Sequence, residues 1–92
     1  ERRRFERLSM VDGLTTLHNR RWFDEMFPLQ VVRLLREGRH SALLMADADR
    51  FKDLNDRFGH AVGDAALRRI GKAILAGLRP GDLLARYGGE EF

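Results

Sequence analysis

The 92-residue sequence contains no cysteine, and its apolar residues never form a long uninterrupted run. The lack of cysteine excludes both a disulfide framework and a thiolate metal site, and a reducing, cytoplasmic environment fits it best. A membrane-spanning helix requires about 18 or more predominantly apolar residues, and no segment approaches that length. The N-terminus also lacks the apolar core of a signal peptide. We therefore expect this segment to make no membrane contact.

Charge of one sign does not dominate the chain. Seventeen basic residues stand against 14 acidic residues, which gives a formal net charge of +3. Phe5 and Glu6 interrupt the basic run from Arg2 to Arg7, and the other basic residues are scattered among acids. This distribution is typical of solvated helix faces, whereas a nucleic-acid surface carries a basic stripe. We therefore expect no nucleic-acid partner.

Apolar spacing and turn residues predict helices in the first part of the chain. Residues 1–10 contain good helix formers without a capping residue, so we expect the end of a helix that begins upstream. The pair Asp12-Gly13 breaks this helix. Asn19 is predicted to cap a second helix, which Gly38 would end. Pro28 lies inside that helix and predicts a kink or a break into two pieces, because proline removes a backbone donor.

Four further elements are predicted from periodicity: a strand over residues 41–46, a helix over 50–58, a helix over 63–78 and a strand over 83–87. The first strand is apolar throughout, which predicts burial on both of its faces. Asp49 is predicted to cap the short helix. Asp64 would lie in the first turn of the long helix, where the helix dipole favours a carboxylate. Together these elements predict one small α/β domain.

Acidic residues follow both predicted strands. A strand, helix and strand in succession join parallel strands, so the two carboxyl ends lie at one edge of the sheet. That edge would bring together Asp47, Asp49, Glu90 and Glu91. Adjacent carboxylates repel unless a cation or water screens them, and oxygen ligands favour Mg²⁺ or Mn²⁺ for phosphate chemistry. Taken singly, the two acidic motifs are more often a helix cap and an exposed hairpin.

Four polar residues near the same edge fit a nucleotide. Asn55 and Asp64 together match the donors and acceptors of guanine. Lys52 and the amides that open its helix suit phosphate, and His60 lies between these segments. Each residue also has an ordinary interpretation, as a solvent-facing helix residue, a dipole partner, an exposed lysine or a turn residue.

Three ordered motifs run through the chain in register. Residues 12–21 read Asp-x-Leu-Thr-x-Leu-x-Asn-Arg-Arg, residues 47–64 begin Asp-x-Asp-x-Phe-Lys-x-x-Asn-Asp, and residues 86–92 read Arg-Tyr-Gly-Gly-Glu-Glu-Phe. Together they resemble the signatures of the GGDEF family of diguanylate cyclases, with Glu in the third position of the name motif. Two positions depart from the family pattern: Thr16 stands where Gly is common, and Ala48 replaces a bulkier aliphatic residue.

The resemblance implies a palm-like α/β (α+β) fold related to nucleotide cyclases. Residues 1–10 would be the end of a signalling or stalk helix. Residues 11–92 would be the N-terminal portion of the GGDEF domain, which ends at the GGEEF motif and is therefore incomplete. The implied reaction condenses two GTP molecules into cyclic di-GMP and two pyrophosphates in the cytoplasm.

Site roles follow from the same resemblance. The cation ligands would be Asp47, the backbone carbonyl of Ala48, and Glu90, which would hold two Mg²⁺ or Mn²⁺ ions per GTP site. Glu90, assisted by Glu91, would accept the proton of the attacking 3′-hydroxyl. The implied nucleotide contacts are Asn55 and Asp64 to guanine, His60 to the nucleotide, and Arg50, Phe51 and Lys52 beside the phosphates.

A regulatory site and several partners are also implied. Arg79 and Asp82, which five residues separate from Gly88, resemble the family's inhibitory site for the product cyclic di-GMP. Taken alone, the Arg-x-x-Asp pattern is more often an ordinary turn pair. Each domain of this family carries one GTP, so the resemblance implies a homodimer that forms through the stalk helix and brings catalytic domains face to face. An upstream sensor domain would control that encounter.

In the palm-like order, a strand that returns from the Gly-Gly turn lies between the two predicted strands. Leu43 and its neighbours would then face an absent partner. We therefore expect the full-length parent protein, rather than these 92 residues alone, to be active. Two other classes stay open: a receptor that binds GTP or cyclic di-GMP without turnover, and a dimerising interaction fragment.

Overall fold

The computed structural model describes residues 9–92. Within this part of the chain it contains three helices: α1 (Arg20–Arg36), α2 (Phe51–Phe58) and α3 (His60–Gly77). Backbone pairing between extended segments of residues 9–92 is limited to isolated bridges. None of these helices is long and apolar enough to cross a membrane. Most of the predicted stalk helix, residues 1–8, lies outside the described residues.

The ends of α1 are set by local signals. The Asn19 side-chain oxygen accepts a hydrogen bond from the Trp22 amide at 2.9 Å, which satisfies one of the donors that a helix start leaves open. At the other end, Gly38 has a φ of +64°, and the Arg39 amide donates to the Leu34 carbonyl at 3.0 Å. A glycine in this conformation is a common helix terminator. Both predicted helix ends are therefore confirmed.

Pro28 does not divide α1, so of the two predicted outcomes, a kink or a break into two pieces, the break is wrong. The aromatic residues of the preceding turns pack on one face of the helix. Phe23 stacks on Phe27 with 4.8 Å between ring centroids and meets Tyr87 edge-on at 5.4 Å. This packing holds α1 against the rest of the domain on the N-terminal side of Pro28, and it offsets part of the cost of one lost backbone hydrogen bond.

The starts of α2 and α3 differ from the prediction. Arg50, with a φ of +54°, precedes α2, and no side chain caps this helix, so the predicted cap by Asp49 is wrong. Gly59 has a φ of +91° and serves as the end of α2 and the start of α3. Because glycine adopts a positive φ without strain, the chain changes direction at this one residue, and α3 begins at His60. Asp64 therefore lies beyond the first turn, and its predicted role as a dipole partner is wrong.

A line of small and apolar residues buries one face of α3. Gly63, Leu67 and Gly71 are buried at four-residue spacing, and the Leu67 side chain is 1% exposed. A side chain at residue 71 would contact Leu17 and Phe92, and Phe92 is itself buried. The glycines therefore let α3 approach its neighbours closely, which fixes the position of the C-terminal motif.

The segment that carries Asp47 pairs with the C-terminal end of the chain. The Ala46 and Phe92 backbones exchange two hydrogen bonds of 2.7 Å, and the Ala48 amide donates to the Glu90 carbonyl at 2.9 Å. These bonds define an antiparallel bridge between Asp47 and Glu91. The returning segment thus begins to form the central partner that the palm-like order requires.

Residues 41–46 do not form the predicted buried strand. Leu43, Leu44 and Met45 are 55%, 78% and 54% exposed. Pairing in the described structure extends only as far as Ala46, so the residues before it gain no sheet neighbours on which to pack.

Residues 83–87 also form a single bridge rather than a full strand. Ala85 pairs in parallel with His18, and the Arg86 amide donates to the His18 carbonyl at 2.8 Å. The chain then turns, and the Tyr87 amide donates to the Glu91 carbonyl at 2.8 Å. Residues 83–87 and 41–46 are therefore not neighbours, because residues 90–92 lie between them. Their carboxyl ends nevertheless meet at one edge, as the sequence predicts.

Candidate functional site

Asp47 and Glu90 lie close together at this edge, on two segments that the Ala48–Glu90 backbone hydrogen bond joins. Partial desolvation, the hydrogen bond with Asp47, and the negative charges of Asp47 and Glu91 raise the pKa of Glu90 above its usual range. Two carboxylates this close repel each other, and a bound cation relieves the repulsion. The pair therefore has the properties of a cation site.

The other two predicted members of the acidic cluster are Glu91 and Asp49. Glu91 folds back over Gly88, where its carboxylate carbon lies 3.2 Å from the position that a side-chain carbon of residue 88 would take. Asp49 is exposed. Among residues 9–92, no three His, Asp or Glu side chains are arranged to hold one metal ion. The predicted convergence of the four carboxylates on one metal ion is therefore wrong for the described residues.

The remaining pair fits a hard divalent cation. Mg²⁺ keeps several waters and is usually held by one or two protein carboxylates together with substrate phosphates. Asp47 and Glu90 supply this number of carboxylates. Ala48 follows Asp47 and lies opposite Glu90, and its amide is fixed by the hydrogen bond to the Glu90 carbonyl. The donor set thus suits Mg²⁺ or Mn²⁺ and leaves room for substrate oxygens.

Asn55 presents a buried polar atom. Its side-chain oxygen has no hydrogen-bond partner within the part of the chain that the structure describes. The amide packs directly against Gly63, where any side chain would overlap it, and Phe51 borders the same spot. A buried amide oxygen without a partner costs about 1–3 kcal/mol. This cost is recovered when a ligand supplies a donor, so Asn55 is a candidate ligand contact.

The remaining nucleotide candidates surround the junction of α2 and α3. Asp64 follows Gly63 and is exposed, which places both guanine candidates at neighbouring positions of two packed helices. His60 is the first residue of α3, and Lys52 is exposed in the first turn of α2. The structure thus brings Phe51, Asn55 and Gly63 into contact, while Lys52 and His60 lie at the surface beside them.

Arg79 and Asp82 form a surface turn. The Arg79 amide donates to the Asp82 carboxylate at 2.9 Å, and the guanidinium lies 3.7 Å from the same oxygen. The Asp82 amide donates a hydrogen bond of 3.0 Å to the Arg79 carbonyl. Gly81, within this turn, has a φ of +93°. The Arg79 side chain is 89% exposed. It is therefore accessible to a ligand.

One group of contacts was not predicted from the sequence. The Arg86 guanidinium donates to both carboxylate oxygens of Asp12 at 3.1 and 3.2 Å, and to the Gly89 carbonyl at 2.7 and 3.2 Å. Thr15 donates its amide and hydroxyl to the same carboxylate at 2.8 and 2.7 Å. Asp12 and Arg86 stand in the first and last motifs, but they are 74 residues apart. Only the tertiary structure reveals their contact.

These donors lower the pKa of the Asp12 carboxyl group. Burial alone would raise its pKa, but hydrogen bonds from Thr15 and Arg86, together with the Arg86 charge, outweigh burial and hold the pKa below the ordinary value of 3.8. Next to it, Thr16 has a φ of +61°. This left-handed conformation favours glycine, so the Gly that the resemblance leads us to expect at this position would adopt it without strain.

Acid should weaken the Asp12–Arg86 ion pair. Because the pKa of Asp12 is lower in the folded protein, its contribution to the free energy of unfolding is present above about pH 4 and is lost as the pH falls through the folded value. We expect Asp12→Asn to lower the free energy of unfolding by about 1–2 kcal/mol at pH 7. The difference from wild type should shrink on acidification, as measured by urea unfolding at several pH values. An equal difference at all pH values would contradict this explanation.

Comparison with known proteins decides the family. The family profile described as "Diguanylate cyclase, GGDEF domain" matches residues 9–92. The chain belongs to the GGDEF family of diguanylate cyclases. Its last residues, from Gly88 to Phe92, are the motif that gives the GGDEF family its name, here in the GGEEF form.

Curated GGDEF relatives are longer than this chain. The probable diguanylate cyclase DgcC of Escherichia coli strain K12 is 37% identical over 91 residues. This alignment covers 99% of the chain and 24% of DgcC. The chain thus spans about a quarter of the length of this relative.

Solved GGDEF structures establish the fold. The GGDEF domain of PA1120 (TpbB or YfiN) from Pseudomonas aeruginosa is similar with a TM-score of 0.84 and 43% identity, over 89% of this chain and 48% of that one. The GGDEF domain of DgcB from Caulobacter crescentus, in complex with c-di-GMP, gives a TM-score of 0.81 and 34% identity, over 91% of this chain and 49% of that one. The predicted α+β GGDEF fold is therefore confirmed.

Proposed function

We propose that this chain is the first part of the catalytic domain of a diguanylate cyclase, which condenses two GTP molecules into cyclic di-GMP and two pyrophosphates. The observation that carries the proposal is the backbone pairing of residues 46–48 with residues 90–92, which brings Asp47 and Glu90 close together beside the glycine turn. Membership of the family and the name of DgcC support the reaction class. Product binding by the similar DgcB domain agrees with it.

Asp47 and Glu90 would hold the cations, with the Ala48 carbonyl between them. Two Mg²⁺ or Mn²⁺ ions, when bound, would neutralise the triphosphate and lower the pKa of the attacking hydroxyl. The protein's own contribution is the fixed separation of the two carboxyl groups, which the paired backbones of Ala46–Ala48 and Glu90–Phe92 maintain. This backbone pairing pre-organises the site, which limits the ordering cost of substrate binding.

Glu90 would also accept the proton of the attacking 3′-hydroxyl. A carboxylate can act as a general base when it lies within hydrogen-bond reach of the proton that it abstracts, and the glycine turn places Glu90 beside Asp47. Glu91 would assist through its negative charge, because its carboxylate lies over Gly88 rather than against Asp47. The two adjacent glutamates thus receive different roles.

The junction of α2 and α3 would bind the nucleotide. The Asn55 amide and the Asp64 carboxylate would meet the donors and acceptors of guanine, which gives the buried Asn55 oxygen a partner. His60 would contact the nucleotide, while Arg50, Phe51 and Lys52 would border the phosphates. The exposed amino group of Lys52 suits a phosphate contact because it carries positive charge on a flexible stem.

We propose that each turnover requires two identical domains, because one domain of this kind offers one guanine site and the product contains two guanines. The stalk helix would bring the domains together, and an upstream sensor domain would control the encounter in the cytoplasm. Residues 1–10 would form the end of that stalk, and residues 11–92 the first portion of the GGDEF domain.

A product assay tests the function. The parent protein is incubated with GTP and MgCl₂, and the nucleotides are separated by chromatography. Cyclic di-GMP formation that EDTA abolishes supports the cyclase. Tight binding of GTP or cyclic di-GMP without turnover would favour the receptor class instead of the cyclase. If the protein shows no binding and no turnover, the interaction fragment is favoured.

We also propose that Arg79 and Asp82 form an inhibitory site for the product. The exposed Arg79 guanidinium is available for guanine or phosphate. We expect Arg79→Ala to raise the inhibition constant of cyclic di-GMP at least about tenfold in the parent protein, which corresponds to one lost charged hydrogen bond, with little change in the initial rate. Arg68→Ala, at an exposed arginine of α3, is the matched control. Unchanged inhibition of the Arg79 variant would remove this proposal.

A further inference from the structure

Arg86 uses its guanidinium to join two separate parts of the domain. One terminal nitrogen donates to the Asp12 carboxylate, and the other terminal nitrogen and Nε donate to the Gly89 carbonyl. The side chains of Arg86 and Asp12 are only 17% and 18% exposed. A planar guanidinium group that donates several hydrogen bonds is held in one orientation, and partial burial strengthens these bonds. These contacts therefore constrain geometry more than a surface ion pair would.

The contacted carbonyl belongs to the peptide unit that leads directly into Glu90. Gly88 and Gly89 lack side chains that could hold the turn in place, and Gly89 has open space around it. Glycine pairs carry high conformational freedom. A hydrogen bond to the Gly89 carbonyl fixes the orientation of the 89–90 peptide, and with it the direction from which Glu90 approaches Asp47.

The opposite end of the contact is equally well fixed. Asp12 accepts two hydrogen bonds from Thr15, and its own backbone carbonyl accepts one from the Thr16 amide at 2.9 Å. Asn19 ties the same turn to Ser9 and Met10 through bonds of 3.2 and 2.9 Å. The turn thus connects the segment before α1 with the glycine turn that carries Glu90.

We propose that Arg86 is a positioning residue of the cyclase site, which holds the glycine turn against the Asp12 turn so that Glu90 meets Asp47 in a reactive geometry. The proposal rests on the proposed function for its kinetic consequence. Its structural part, the restraint of residues 88–91, stands on the contacts alone. Lysine cannot replace Arg86, because its single ammonium group cannot donate to the Asp12 carboxylate and the Gly89 carbonyl with the forked geometry of a guanidinium.

The test compares Arg86→Lys, Arg86→Ala and Asp12→Asn in the parent protein, with Arg36→Lys at an exposed arginine of α1 as the control. We expect Arg86→Lys to lower kcat about 10- to 100-fold, the range of one or two charge-assisted hydrogen bonds. The KM for GTP should change little, because Asn55 and Asp64 lie on other elements. Asp12→Asn should have a smaller effect, since it leaves the Gly89 contacts intact. Added guanidinium should partly restore Arg86→Ala.

Amide hydrogen exchange supplies a readout that does not depend on activity. The Tyr87 and Gly88 amides donate to the Glu91 carbonyl at 2.8 and 3.3 Å, and we expect Arg86→Lys to speed their exchange at least about tenfold while exchange in α3 stays unchanged. Wild-type kcat and wild-type exchange in Arg86→Lys would overturn the proposal, and so would faster exchange throughout the domain. If wild-type protein makes no cyclic di-GMP, the proposed function fails, and local exchange alone decides the role of Arg86.

Discussion

Replacement of Glu90 by glutamine will reduce cyclic di-GMP synthesis by the parent protein at least about 100-fold, the range of a lost general base. Glutamine keeps the size of the side chain but carries no negative charge and accepts no proton. The variant therefore loses a cation ligand and the proposed proton acceptor in one step, while the glycine turn keeps its shape.

The same substitution should not reduce stability. The raised pKa of Glu90 means that the folded state disfavours the charged form of this side chain. Such a group stabilises the fold at low pH, and this contribution is lost as the pH rises through the folded value. At pH 7 the charged Glu90 opposes Asp47, so a neutral glutamine should leave the unfolding temperature unchanged or slightly higher.

Activity and unfolding temperature should be measured on the same preparation. Glu25→Gln, at an exposed carboxylate of α1, is the matched control and should retain both properties. A Glu90→Gln variant with more than a third of wild-type activity would contradict the assigned role. A fall in unfolding temperature that parallels the lost activity would show instead that Glu90 acts through stability.

Gly63→Ala will both destabilise the domain and weaken GTP binding. A side-chain carbon at residue 63 would overlap the Asn55 amide oxygen and lie 2.8 Å from its Cγ and 3.2 Å from the Phe51 ring. Alanine gains about 1 kcal/mol over glycine in a helix, but forced repacking of a buried contact costs about 1–3 kcal/mol. We expect the clash to prevail, with a net loss of about 1–2 kcal/mol in the free energy of unfolding.

Gly77→Ala provides the control within the same helix. No atom lies near a side-chain carbon at residue 77, so this variant should equal or exceed wild type in stability. Gly63→Ala should also raise the KM for GTP about tenfold, because displacement of Asn55 removes a guanine contact worth about 1.4 kcal/mol. Urea unfolding and steady-state kinetics measure the two effects. Equal stability of the two alanine variants would contradict the close packing of Gly63.

Local signals in the sequence predicted local structure well. Asn19 and Gly38 delimit α1 because a capping side chain and a left-handed glycine act within one turn of their own position. Prediction failed at Asp49 and Asp64, where the unusual backbone of Arg50 and the early start of α3 after Gly59 moved the helix boundaries. Neither shift has a strong sequence signal, since several start sites are compatible with the same apolar pattern.

Non-local structure was only partly predictable. The sequence placed Asp47 and Glu90 at one edge, because strand direction follows from chain order. It did not reveal that Glu91 turns away over Gly88, or that Arg86 bonds to Asp12 and Gly89. Side-chain direction depends on the register of pairing, and a register shift of one residue exchanges the two faces.

The cation-binding pair can be tested most directly by Mn²⁺ titration of the parent protein loaded with 3′-deoxy-GTP, with free Mn²⁺ measured by electron paramagnetic resonance. This nucleotide lacks the attacking hydroxyl, so it binds without reacting. We expect Asp47→Asn and Glu90→Gln each to lower Mn²⁺ affinity at least about tenfold, and Asp49→Asn to leave the affinity within about twofold of wild type. Unchanged affinity in Asp47→Asn, or an equal loss in Asp49→Asn, would contradict a site built on Asp47 and Glu90.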